Sequence, residues 1–145
     1  MAAHPPAVTA NAVIAYRIDR QSGIPTYVQL ILQTKQALRL GTLAVGDRLP
    51  TAKEVVTALA INPNTVLKAY RELERDGLVQ PRTGSGTFVV ASLAKPGMAE
   101  RSALETELDR WIRHCTAAGL DRPDLEAIVT AALDKQFDRT ERDET

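Results

Sequence analysis

The stretch Asn62–Gly77, NPNTVLKAYRELERDG, decides the fold. Asn62 is a strong N-cap residue and Pro63 is favoured at the first helical position, so a helix starts here. Val66, Ala69, Tyr70 and Leu73 recur at helical spacing as one apolar stripe, and Gly77 ends the helix. Asn64, Leu67, Lys68, Arg71, Glu72 and Arg75 fall outside that stripe. The first turn therefore carries Asn64, Thr65 and then Lys68, hydrogen-bonding groups with no evident partner in the chain.

Upstream, Thr51 and Glu54 form the T-x-x-E pattern of a capping box, opening a short helix through about Ala58 with Val55, Val56 and Leu59 inward. Two short helices joined by a tight turn describe a helix-turn-helix. Before them, Tyr27, Leu30, Ile31, Thr34, Ala37 and Leu38 recur at helical spacing between Thr26 and Leu40, with Gly41 as C-cap and GTLAVGDRLP as a loop. After them, LVQPRTGSGTFVV (Leu78–Val90) reads as a β-hairpin turning on Thr-Gly-Ser-Gly. Three helices followed by a hairpin make a winged helix. IAYRID (Ile14–Asp19) alternates apolar and polar residues, predicting a short strand able to lie third beside the wing.

Beyond the hairpin, SLAKPG reads as a linker and two amphipathic helices follow. Leu104, Leu108, Trp111, Ile112 and Cys115 share one side of the first, which Gly119 stops. Asp121 caps the second, Pro123 sits in its first turn, and Leu125, Ile128, Val129, Ala132, Leu133 and Phe137 form its stripe. The expected organisation is a disordered leader over 1–12, a winged helix-turn-helix over 13–91, a linker over 92–98, a two-helix region over 99–138 and a fraying polar tail over 139–145. The fold class is mainly α with a small antiparallel β-sheet.

Composition narrows the functions. The 145 residues are 44% hydrophobic and 25% charged, as for a chain that buries a core. The single cysteine, Cys115, excludes an intrachain disulfide. No apolar run approaches the ~18 residues of a membrane span, and MAAHPPAVTANAV lacks the basic and apolar regions of a signal peptide. A cytoplasmic protein is expected. Net charge is zero, yet residues 1–95 carry 11 Lys/Arg against 6 Asp/Glu and residues 96–145 carry 7 against 12. The winged half is thus basic, as for a part that meets polyanions, and the two-helix half is acidic.

Catalysis has no support. His4 and His114 are far apart, and Cys115, though next to His114, falls in an apolar stripe where a buried thiol is expected. No set of His, Cys or carboxylates has metal-ligand spacing, and no cofactor is expected. TGSGTF lacks the third glycine of a dinucleotide loop and leads into a strand, not a helix.

Nucleic-acid binding has support throughout the basic half. The N-terminal part of the second helix of a helix-turn-helix enters the major groove, which places Asn64 and Thr65 at base edges with Lys68 one turn on. Asn pairs with adenine and Lys reaches guanine acceptors or phosphate. Asn62 is chiefly a cap, while Lys68 and Arg71 without context are equally well solvated helix surface. Arg48, Thr51 and Lys53 lie around the entrance of the preceding helix, suited to phosphates. Arg82 and Thr83 stand at the mouth of the wing, and Gly84 and Gly86 let its backbone approach a ligand surface. A winged helix that binds another protein is the competing class.

Gly46–Val89, GDRLPTAKEVVTALAINPNTVLKAYRELERDGLVQPRTGSGTFV, resembles the DNA-binding domain of the GntR family of bacterial transcription regulators, and Ile18–Leu43 extends the resemblance to about half the chain. The set RLP, N-x-N-T-V, L-E-x-D-G-L-V and G-x-G-T-F-V is specific in order and spacing. The short helical remainder looks like the YtrA subfamily, whose tails dimerise and whose members often control neighbouring ABC transporter genes. The resemblance implies that Arg48, Lys53, Asn64, Thr65, Lys68, Arg82, Thr83, Gly84 and Gly86 meet double-stranded DNA. It departs at Pro63 and Leu67, where many members carry Arg, so arginine contacts there do not transfer and Lys68 substitutes. A homodimeric repressor on a partly palindromic operator is expected, with Leu104, Leu108, Trp111, Ile112, Cys115, Leu125, Ile128, Val129, Leu133 and Phe137 in the dimer core. Two helices with continuous stripes cannot bury both faces against each other and a small domain, so a second copy is expected to complete the core. Nothing in the sequence names an operator or a small-molecule effector.

Overall fold

The computed structural model describes residues 14–143, with side chains through residue 138. The expected leader lies outside the described residues. The chain divides after Met98 into two compact units.

In the first unit, α1 (Thr26–Leu40), α2 (Ala52–Leu59) and α3 (Pro63–Arg75) precede a hairpin of β1 (Val79–Arg82) and β2 (Gly86–Val89). Their apolar positions converge with two leucines of the α1–α2 connection: Leu30, Leu38, Leu43, Leu49, Val66, Ala69 and Leu73 are wholly inaccessible to solvent, joined by Val55, Tyr70, Val79 and Val89. α1 packs on α3, and α3 in turn packs on α2 and β1. The capping box at α2 is complete: Glu54 N donates to Thr51 Oγ1 (3.1 Å) and Thr51 N to Glu54 Oε2 (3.3 Å). The hairpin pairs Val79 with Val89 and Arg82 with Gly86, and Pro81 is tolerated because β1 is an edge strand.

Two sequence expectations are corrected. Ile14 and Tyr16 are buried as the alternation requires, but Ile14–Asp19 is not a strand. Its partners are helix side chains. Arg17 N donates to Gln33 Oε1 and Asp19 N to Gln29 Oε1, both at 2.8 Å, and the two amide groups donate back to the carbonyls of Arg17 and Asp19. Four residues of helix rise about 6 Å and two residues of extended chain about 6.6 Å, so glutamines one turn apart meet alternate peptides. Neither does this segment flank the wing. That place belongs to the stretch whose composition predicts a loop: Gly46 N and Leu49 N donate to the carbonyls of Val89 and Thr87, and Val89 N donates to the Asp47 carbonyl, around an Arg48–Phe88 bridge.

The turn between α2 and α3 holds Ala60 at φ 52° and ψ 47°, the one left-handed non-glycine among the described residues. That conformation costs an L-residue about 1–2 kcal/mol, and Gly loses more freedom on folding by about 0.5–1 kcal/mol. Ala60→Gly is therefore expected to stabilise the unit by about 0.5–1 kcal/mol. A rise in the urea midpoint at unchanged m-value checks it.

The second unit holds α4 (Arg101–Ala117) and α5 (Arg122–Asp143). Asp121 caps α5, accepting from Asp124 N (3.1 Å) while its own N–H donates to Asp124 Oδ2 (2.9 Å). These hydrogen bonds, backbone first, hold the Asp124 carboxyl below its usual pKa. The α5 backbone is helical through Asp143.

Candidate nucleic-acid interface

The candidate surface begins at the start of α3. Asn62 Oδ1 accepts from Asn64 N (2.8 Å), so one side of the Asn62 amide caps the helix. The first turn carries no acidic residue, leaving the positive end of the helix dipole uncompensated. Burial of Val66, Ala69, Tyr70 and Leu73 fixes the rotation of α3 and turns Asn64, Lys68 and Arg71 outward, at the i, i+4, i+7 spacing of one exposed stripe. Thr65 is half-buried beside them.

Tyr70 anchors the helix further, donating from its hydroxyl to the Pro50 carbonyl (2.6 Å). Tyr16 shares a hydrogen bond with Thr34 (2.8 Å). Burial raises the pKa of both phenols above the ordinary value, so they stay neutral in the core.

Four more candidates lie on the wing. Arg82 and Thr83 are exposed at its tip, and Gly84 takes φ 75°, open to glycine without strain. Gly86, at φ 116°, lies against Arg48: a Cβ there would come within 3.3 Å of Arg48 Cδ. Arg48 is half-buried and paired with Glu54 (3.6 Å). It is therefore less available than Lys53, which is exposed on α2. Thr51 uses its hydroxyl oxygen in the capping box and is half-buried.

Two residues at this surface make contacts that the sequence pattern alone does not reveal. Tyr27 on α1 lies under the Lys68 ammonium, with Nζ 3.9 Å from the ring centroid, and Phe88 on β2 lies under the Arg82 guanidinium at 4.5 Å. In the sequence both are simply apolar positions, and only the fold pairs them with cations. Leu67, 40% exposed, stands on the outer side of α3, and its place outside the apolar stripe is the signal that marks it.

In the second unit Cys115 is buried, and Trp111, Ile112 and Leu125 are half-buried. Leu104, Leu108, Ile128, Val129, Leu133 and Phe137 remain exposed, Phe137 at 65%. Between α4 and α5 an open groove of about 570 Å³ is lined by Leu108, Trp111, Ile112, Leu125 and Val129 among others. The described residues hold no His, Cys, Asp and Glu grouping fit for a metal ion, and no helix among them is long and apolar enough to cross a membrane.

A three-helix head, a wing and a polar tip on the outward face of the second helix-turn-helix helix define a winged helix-turn-helix regulator. Residues 26–89, from α1 through β2, match the family model described as bacterial regulatory proteins, gntR family. The chain is 44% identical over 107 residues to the HTH-type transcriptional repressor YtrA of Bacillus subtilis, covering 72% of this chain and 82% of that one. It is 35% identical over 118 residues to the HTH-type transcriptional regulator Rv1152 of Mycobacterium tuberculosis, covering 81% and 93%. Among solved structures, a transcriptional antiterminator from Listeria monocytogenes EGD-e superposes with a TM-score of 0.52 at 26% identity, covering 83% and 91%. The chain belongs to the gntR family of DNA-binding transcription regulators and is YtrA-like within it.

Proposed function

We propose that the chain acts as a cytoplasmic homodimeric repressor. Each winged unit reads one half of a partly palindromic operator, and the two-helix units hold the dimer. The regulated genes are proposed to lie beside its own and to encode an ABC transporter, and the chain to have no catalytic activity of its own. The observation that carries the dimer is the apolar surface left open on α4 and α5, because a monomer exposing Leu104, Leu108, Ile128, Val129, Leu133 and Phe137 together leaves a large unpartnered face in water. The name of the Bacillus subtilis relative, a repressor, supports the sign of regulation.

The DNA-facing set is Asn62, Asn64, Thr65, Lys68 and Arg71 on and before α3, Arg48, Thr51 and Lys53 around α2, and Arg82, Thr83, Gly84 and Gly86 on the wing. Asn64 and Lys68 are its base-reading members, and the wing residues and Lys53 hold the backbone. Two-fold symmetry places the half-sites about one helical turn apart. A duplex selected from a random library by the protein supplies the operator, and its placement before a reporter gene tests the sign. Reporter expression falls when the protein is present; a rise would make it an activator.

Arg82→Ala is expected to weaken binding of that duplex and to lower the slope of log affinity against log salt by about 1. Fluorescence anisotropy across a salt series reads both. Unchanged slope and affinity would remove the wing from the interface, and absence of DNA binding at low salt would favour a protein partner.

A further inference from the structure

Lys68 is the cation nearest the tip of the recognition helix, and what holds it is unusual for a surface lysine. Its ammonium lies 3.9 Å from the centroid of the Tyr27 ring. No carboxylate pairs with it among the described residues. Arg48 shows the contrast, with its charge opposed by Glu54 at 3.6 Å. An aromatic face attracts a cation through its quadrupole and carries no net charge. The ring therefore restrains the flexible lysine stem and leaves the full positive charge, with its donors, for a ligand.

The restraint comes from a rigid place. Tyr27 is half-buried in the first turn of α1, packed on the hydrophobic core, and α1 is the helix against which α3 packs. The same device recurs at the wing, where Arg82 stacks on Phe88 at 4.5 Å. From this geometry we infer that Tyr27 is a positioning residue, holding the Lys68 ammonium ready for DNA without touching the bases itself. The inference rests on the proposed placement of Lys68 at the operator. A lysine already held loses less freedom on binding, and affinity gains by that difference.

A double-mutant cycle on the full chain tests this, read by anisotropy with a fluorescein-labelled duplex selected from a random library by the wild-type protein. Lys68→Ala weakens binding about tenfold, as loss of one good base contact does. Tyr27→Leu weakens it about fivefold when Lys68 is present and less than about twofold when Lys68 is Ala, and Tyr27→Phe, which keeps the ring, restores affinity to within about twofold. The same factor in both backgrounds would overturn the inference, giving Tyr27 an effect independent of Lys68. Lys68→Ala without effect would overturn it together with the placement of Lys68 at DNA, while a fall with Lys68→Ala and additive loss at Tyr27 would sink the inference alone. In the free protein, the Lys68 methylene protons next to the ammonium are shifted upfield by the Tyr27 ring and return to ordinary values in Tyr27→Leu. Their absence from the upfield region in wild type would likewise overturn it.

Discussion

A fragment ending at Met98 is expected to fold, to sediment as a monomer and to bind the selected operator about 100-fold or more weaker than the full chain. Folding is expected because the winged unit holds its own core: among the described residues every wholly inaccessible side chain lies between Leu30 and Val89. The cut is placed after Met98 and not after Ser92 because Leu93 packs on that core. Monomeric behaviour follows if the apolar faces of α4 and α5 are the dimer surface. The loss of affinity follows because two tethered half-site contacts act at high effective concentration, and separated units do not. Leu108→Glu in the full chain provides an independent arm, since it places a charge in the open groove without shortening the protein. Analytical ultracentrifugation reads the mass, and anisotropy reads the affinity. A fragment that still dimerises would move the interface onto the winged unit, and a monomer with undiminished affinity would remove the need for two half-sites.

The elements that the sequence displays best are those whose pattern is complete within one segment. α3 is legible from Asn62 to Gly77 because cap, stripe and stop all fall in sixteen consecutive letters. α2 is legible from Thr51 and Glu54, whose reciprocal bonds are local. Ile14–Asp19 is half legible. The apolar alternation anticipates the burial of Ile14 and Tyr16, but whether the peptides meet a strand or two glutamines depends on a helix that arrives later in the sequence. Gly46–Leu49 shows the converse, since its turn-rich composition conceals a ladder made only when the wing returns beside it. At the candidate site, Asn64 and Lys68 are visible as polar residues outside a stripe. Tyr27 beneath Lys68 is not, because two residues 41 positions apart in the chain become neighbours only through packing of α1 on α3.

Leu73→Ala is expected to destabilise the winged unit by about 2–5 kcal/mol, a large part of the ~5–15 kcal/mol that holds a typical domain. Leu73 is wholly inaccessible, on the stripe that seats α3, and its carbonyl accepts from Leu78 N (3.0 Å) where the chain turns into the wing. Truncation there removes apolar contacts and leaves a cavity that neighbouring helices cannot fill without moving. Leu67→Ala offers the matched comparison, with the same residue type in the same helix but facing outward at 40% exposure. It is expected to change stability by only about 0.5 kcal/mol. Urea unfolding followed by far-ultraviolet circular dichroism measures both. Equal costs would mean that α3 is rotated about its axis, and with that rotation Asn64 and Lys68 would leave the outward face. The difference between the two leucines therefore tests the recognition surface through stability alone, before any DNA is added. Any loss of operator affinity in Leu67→Ala then reports on contact with DNA, because the fold beneath it is intact.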